Sequence, residues 1–137
     1  MAVKAKELRY AVDLAEGGGL RTEDGTPLEP AAGWSPEHLV LAALVRCSLK
    51  SLDYHARRAG LQVAGARGSA RTLVTKRESD GRYALVDTEV ALDVRLEPQA
   101  GEDELGDLLA KAERDCFIGA SLTASPAYRW TVDGVDR

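Results

Sequence analysis

The sequence predicts an α+β fold: an antiparallel sheet with a long central helix and a second helix packed on it. Three observations carry the prediction. One apolar segment has helix signals at both ends. Two long runs rich in β-branched residues flank a Ser-Asp-Gly turn. A later segment with an acidic start repeats its apolar residues on one helical face.

Residues 6–14 alternate, with Leu8, Tyr10, Val12 and Leu14 against Glu7, Arg9, Ala11 and Asp13, the period of a strand. Gly17, Gly18 and Gly19 end it in a turn, since a phosphate-binding loop needs another spacing and a following helix. Residues 20–22 read as a short strand closed by Asp24-Gly25, and Pro27, Pro30 and Gly33 predict an irregular stretch. Ser35 is a good N-cap, Pro36 suits the first helical position, and Glu37 stands in the first turn where the helix dipole favours a carboxylate. This helix is expected to run to about Arg58 and stop at Gly60. Residues 39–45 are apolar on every side, which predicts burial all round, while Arg46, Lys50, Asp53 and Arg57 form a solvated stripe on the second half. A single chain of 137 residues struggles to enclose a helix, so the first half is expected at a subunit interface.

Residues 61–78 and 83–96 read as a long hairpin turned at Ser79-Asp80-Gly81, with Val86, Thr88, Val90, Leu92 and Val94, or their alternates, facing the core. Residues 98–101 break the chain. A second helix begins near Glu102 and carries Leu105, Leu108, Leu109, Ala112 and Cys116 on one face. Residues 117–124 continue as helix until Pro126, and residues 128–132 alternate as a last strand.

The length fits one domain over residues 1–137, with no linker or repeat. Net charge of −4 argues against a nucleic-acid partner, and the basic run 67–77 reads as a solvated strand face. The N-terminus lacks the pattern of a signal peptide, and no stretch approaches the roughly 18 apolar residues of a membrane span. A cytoplasmic protein with no membrane partner is expected, and there thiols stay reduced. Cys47 and Cys116 are then core residues or redox residues, and a structural disulfide is the least favoured reading. Their separation excludes a CxxC motif, and neither His38 nor His55 stands at a ligand spacing to a cysteine, so no metal or cofactor is expected.

Residues 34–47, Trp-Ser-Pro-Glu-His-Leu-Val-Leu-Ala-Ala-Leu-Val-Arg-Cys, resemble the central-helix signature of the OsmC/Ohr family, the osmotically inducible and organic hydroperoxide resistance proteins. There a Pro-Glu pair opens a helix and cysteine follows ten residues after the glutamate, the interval between Glu37 and Cys47. Residues 112–122, Ala-Glu-Arg-Asp-Cys-Phe-Ile-Gly-Ala-Ser-Leu, resemble the family's second signature, with Phe117 where proline commonly follows the cysteine. The order of elements matches across nearly the whole chain.

The resemblance implies an intertwined homodimer and a thiol-dependent peroxidase that reduces organic hydroperoxides, and hydrogen peroxide less efficiently. It implies attack by Cys47, a Cys47 sulfenic acid, a disulfide with Cys116, and recycling by a dithiol such as a dihydrolipoyl group. It further implies an arginine held by Glu37, for which Arg21 is the candidate and Arg46 the runner-up. Ten residues of helix span about 15 Å. Glu37 therefore reaches Cys47 only through an arginine or from a partner subunit. Two other readings stay open: a dimer that binds a small hydrophobic or acyl ligand with little turnover, and a redox sensor or structural dimer.

Overall fold

The computed structural model describes residues 4–137, which form two compact units, one ending at Ser35 and the other spanning Pro36–Arg137. The N-terminal unit is a three-stranded antiparallel sheet of β1 (Val12–Leu14), β2 (Leu20–Thr22) and β3 (Pro27–Leu28). Only the end of the expected strand at 6–14 is strand. The reason lies in β2, which is three residues long and pairs only Val12 to Leu14. Leu8 and Tyr10 are exposed, so their alternation buries no face. The stretch expected to be irregular contributes β3, because Leu28 pairs Leu20 and Pro27 pairs Arg21.

The C-terminal unit holds α1 (Pro36–Arg58), β4 (Gln62–Lys76), β5 (Tyr83–Glu97), α2 (Glu102–Arg114), α3 (Phe117–Ser121), β6 (Ala127–Val132) and β7 (Val135–Asp136). α1 ends as its sequence predicts. Gly60 takes φ +78°, its N–H donates to the Arg57 carbonyl at 3.1 Å, and the Leu61 N–H donates to the Ala56 carbonyl at 2.8 Å. Those two bonds satisfy carbonyls that the helix end would otherwise orphan. The helix buries one stripe, Leu44, Ser48, Ser51, Leu52 and Ala56. The enclosure expected for residues 39–45 is not met within one chain, where only Leu44 is buried and the other six are half-buried.

β4 and β5 form the expected hairpin, and its turn is pinned by the Arg77 guanidinium on the Asp80 carboxylate at 2.8 Å. That guanidinium holds the Asp80 carboxyl down at about 2. The inner face of β5 is buried at Thr88, Val90, Leu92, Val94 and Leu96. Gly68 of β4 marks where α1 comes close: a Cβ there would stand 2.6 Å from Leu92 Cδ2 and 3.3 Å from Val45 Cγ1. Strand order is β4-β5-β6-β7. The sheet is mixed and not purely antiparallel, because β6 runs parallel to β5, with Val90, Leu92 and Val94 opposite Tyr128, Trp130 and Val132. A parallel neighbour needs a crossover, and α2 with α3 supplies it.

The α2 face Leu105, Leu108, Leu109 and Ala112 is buried as expected, but Cys116 does not belong to it. α2 ends at Arg114, and Cys116 is extended (φ −75°, ψ 109°) and opens the separate α3. The chain turns here, so Cys116 is a junction residue between two helices. It is nonetheless fully buried.

Candidate active site at the thiol pair

Cys47 and Cys116 come together where α1 meets the α2–α3 junction, their sulfurs lying against the successive backbone amides of Ile118 and Gly119. Both are free. Cys47 is half-buried, whereas Cys116 has no exposed surface. A molecule arriving from solvent therefore meets Cys47 first.

The junction is held by bonds from three elements. The Ser51 hydroxyl on α1 donates to the Ala112 carbonyl at 2.8 Å. His55 Nε2 lies 2.7 Å from the Asp115 carboxylate, and the Trp130 indole N–H of β6 donates to Glu113 at 3.1 Å. Arg114 also pairs with Asp115 at 2.9 Å, and with His55 it lowers the Asp115 carboxyl to about 2. These bonds fix the backbone that leads into Cys116.

The backbone N–H of Ile118 donates to Cys47 Sγ at 3.5 Å, and that of Gly119 donates to Cys116 Sγ at 3.4 Å. Ser48, next to Cys47 on α1, places its hydroxyl 3.6 Å from Cys116 Sγ and 2.9 Å from the Tyr128 hydroxyl, and donates to the Leu44 carbonyl at 2.8 Å. Gly119 lies beside both groups: a Cβ there would stand 3.4 Å from the Tyr128 hydroxyl and 3.5 Å from Cys116 Sγ. Tyr128 is held there by its strand and by stacking on Trp130, ring centroids 5.9 Å apart.

The two sulfurs are electrostatically unequal. Burial pushes the Cys47 thiol up, and the neighbouring Cys116 adds to the rise against the Ile118 amide. Burial acts the same way on Cys116, but there the Gly119 amide, the Ser48 hydroxyl, the Cys47 thiol and the Tyr128 hydroxyl outweigh it, and the net shift is downward. Burial raises the Tyr128 phenol, which keeps it a donor. Of the two sulfurs, Cys116 is the one whose thiolate the fold favours.

The sequence also singles out Arg21, Glu37 and Arg46. Arg21 is in β2, exposed, in the N-terminal unit, paired in register with Asp13 and Pro27. Glu37 stands exposed in the first turn of α1, at the opposite end of an unbroken helical stretch from Cys47. Arg46 precedes Cys47 on the exposed stripe with Lys50 and Arg57, where Arg57 pairs with Asp53 at 3.1 Å. Phe117 is 62% exposed in the single chain. Ser48, Tyr128 and the two amides are the members of the site that sequence reasoning missed. Among the described residues no cluster of His, Cys, Asp and Glu is placed to hold a metal, and no helix is long and apolar enough to cross a membrane.

The family model for OsmC-like protein matches residues 28–131. Comparison with curated proteins gives no significant match. Solved structures share the fold. An OsmC-like protein from Mycoplasma pneumoniae is 15% identical with a TM-score of 0.71, covering 94% of this chain and 99% of that one. An OsmC-like protein of unknown function from Vibrio cholerae is 16% identical, TM-score 0.71, with 82% of each chain covered. An organic hydroperoxide resistance protein from Elizabethkingia anophelis is 18% identical, TM-score 0.62, covering 94% of this chain and 98% of that one.

Proposed function

The chain belongs to the OsmC-like protein family, and on that premise we propose that it is a cytoplasmic thiol-dependent peroxidase that reduces organic hydroperoxides through Cys47 and Cys116. The observation that carries this reading is the asymmetric thiol pair: a half-buried Cys47 and a fully buried Cys116 on the successive backbone amides of Ile118 and Gly119. That is the arrangement a two-cysteine reduction needs, one sulfur open to substrate and one waiting behind it.

In the first step the Cys47 thiolate attacks the O–O bond. An S–O bond forms, the alkoxide leaves and takes a proton to become the alcohol, and Cys47 is oxidised by two electrons to the sulfenic acid. Cys116 then attacks the Cys47 sulfur, and hydroxide leaves as water. A dithiol of the dihydrolipoyl kind reduces the disulfide by two exchanges and is itself oxidised to a disulfide. Burial opposes the Cys47 thiolate, so a guanidinium is required beside it during attack. Arg21 is the proposed source and Arg46 the second choice. Glu37 of the partner subunit steadies that guanidinium, because Glu37 of the same chain is about 15 Å along the helix from Cys47. The half-buried apolar stretch 39–45 supplies the surface for such a homodimer, in which the whole chain works as one OsmC-like domain.

The upward shift of Cys47 favours a second reading, a redox-sensing or ligand-binding dimer with little turnover. Steady-state assay with cumene hydroperoxide and reduced lipoamide decides between them. The peroxidase reading expects alcohol formation that Arg21→Ala or Glu37→Gln lowers by about two orders of magnitude. Alcohol formation no faster than in protein-free controls overturns it.

A further inference from the structure

The environment of Cys116 is more elaborate than a resolving cysteine requires if it only has to lie near Cys47. Ser48 and Tyr128 come from different elements, α1 and β6, and their hydroxyls meet each other at 2.9 Å with Cys116 Sγ alongside. Each hydroxyl has one proton. Ser48 directs its proton to the Leu44 carbonyl at 2.8 Å, so its oxygen is free to accept from Tyr128 while Cys116 is neutral. When Cys116 ionises, the Ser48 proton can turn to the sulfur, and the Tyr128 hydroxyl, 2.9 Å from the Ser48 oxygen, donates to that oxygen. The Gly119 N–H is fixed on Cys116 in both states. The charged groups on the neighbouring backbone are already engaged: Asp115 with His55 and Arg114, and Glu113 with Trp130.

Resting on the peroxidase reading, we propose that Ser48 and Tyr128 are positioning residues that stabilise the Cys116 thiolate, both as the nucleophile that resolves the sulfenic acid and as the leaving group during recycling. Two steps gain from this. In resolution, the Cys116 thiolate forms the S–S bond and displaces hydroxide from Cys47, and the donors around it make that thiolate easier to form. In recycling, a thiolate of the reductant attacks Cys47 Sγ, the accessible sulfur, forms a mixed disulfide there and expels Cys116 as a thiolate already provided with donors. A thiol with stabilised thiolate leaves faster. Attack at Cys116 is barred by its burial. The hydroxyl pair therefore directs the reductant to Cys47 and sets the pH at which both steps run.

The test uses the full chain. In Cys47→Ser protein the only sulfur that titrates is Cys116, and its thiolate absorbance near 240 nm needs no access by reagents. The midpoint should lie below the ordinary thiol value of about 8.5 and should rise in Ser48→Ala and Tyr128→Phe backgrounds, highest in the double variant. With both cysteines present, single-turnover mixing with tert-butyl hydroperoxide should show Tyr128→Phe slowing disulfide formation about tenfold and slowing sulfenic acid formation less. A midpoint that stays put in both variants, or equal slowing of the two steps, overturns the proposal. The absorbance titration does not depend on turnover. A protein that ignores hydroperoxide yet shows the shifted midpoint would refute the peroxidase reading alone. Circular dichroism identifies any variant that fails to fold, and Tyr128→Trp at the same position, which keeps a ring and an N–H donor, replaces it.

Discussion

The two faces of β5 are built from alternate residues of one strand and meet opposite conditions. Inward, Thr88, Val90, Leu92, Val94 and Leu96 lie against helices and are buried. Outward, Glu89 and Asp93 face Arg71 and Arg67 directly across the hairpin, with Arg67 bound to Asp93 at 3.0 Å. The outer ion pairs are the more numerous polar contacts, yet water and salt screen them, and pairs of this kind contribute about 0–1 kcal/mol each. On the inner side polar groups are few and none is left without a hydrogen-bond partner among the described residues. There a single hydroxyl shifts a thiol, because the low dielectric magnifies each dipole. The same chain thus places its chemistry where one bond matters and its charge where one bond does not.

That contrast gives a graded set of expectations. The largest effect is on the inner face: Leu92→Ala should cost about 2–5 kcal/mol in urea denaturation, through lost transfer energy and the cavity left between β5 and α1. Next is Ser51→Ala, which removes the donor to the Ala112 carbonyl and should cost about 1–3 kcal/mol while moving the α2–α3 junction that carries Cys116. Smallest is Arg71→Ala on the outer face, under about 1 kcal/mol and smaller still in high salt. If Arg71→Ala destabilises as much as Ser51→Ala, the distinction between the faces fails.

The thiols sharpen the comparison through pH. The Cys116 pKa is lowered in the fold, so its thiolate is favoured, and the associated stability is present above the unfolded thiol value and lost as pH falls through the folded one. Cys47 is shifted the other way, so its contribution is present at low pH and lost as pH rises through its folded value. Urea midpoints measured across pH 6–10 should therefore move in opposite directions in Cys116→Ala and Cys47→Ala relative to the parent.

Much of this was legible from local signals. The limits of α1 follow from Ser35, Pro36 and Gly60, and the hairpin from β-branched runs around Ser79-Asp80-Gly81, because caps and turns are decided by neighbours in sequence. The parallel pairing of β6 was not legible, since strand partners are chosen across the whole chain. Nor was the break at Asp115. The apolar spacing that ends at Cys116 continues a helical period although the backbone does not. Ser48 and Tyr128 were missed for a related reason: Ser48 meets Cys116 across 68 residues and Tyr128 across 80, and no spacing rule reaches that far. The two cysteines stood out from the sequence itself, and the resemblance supplied the role of each.

The central claim is that Cys47 is struck first and Cys116 second. Intact-protein mass spectrometry after addition of one equivalent of cumene hydroperoxide reads this directly. The parent should lose the mass of two hydrogens as the disulfide closes, Cys116→Ser should gain one oxygen as a sulfenic acid, and Cys47→Ser should be unchanged. An oxygen gained by Cys47→Ser, with none gained by Cys116→Ser, would contradict the account and reverse the roles of the two sulfurs.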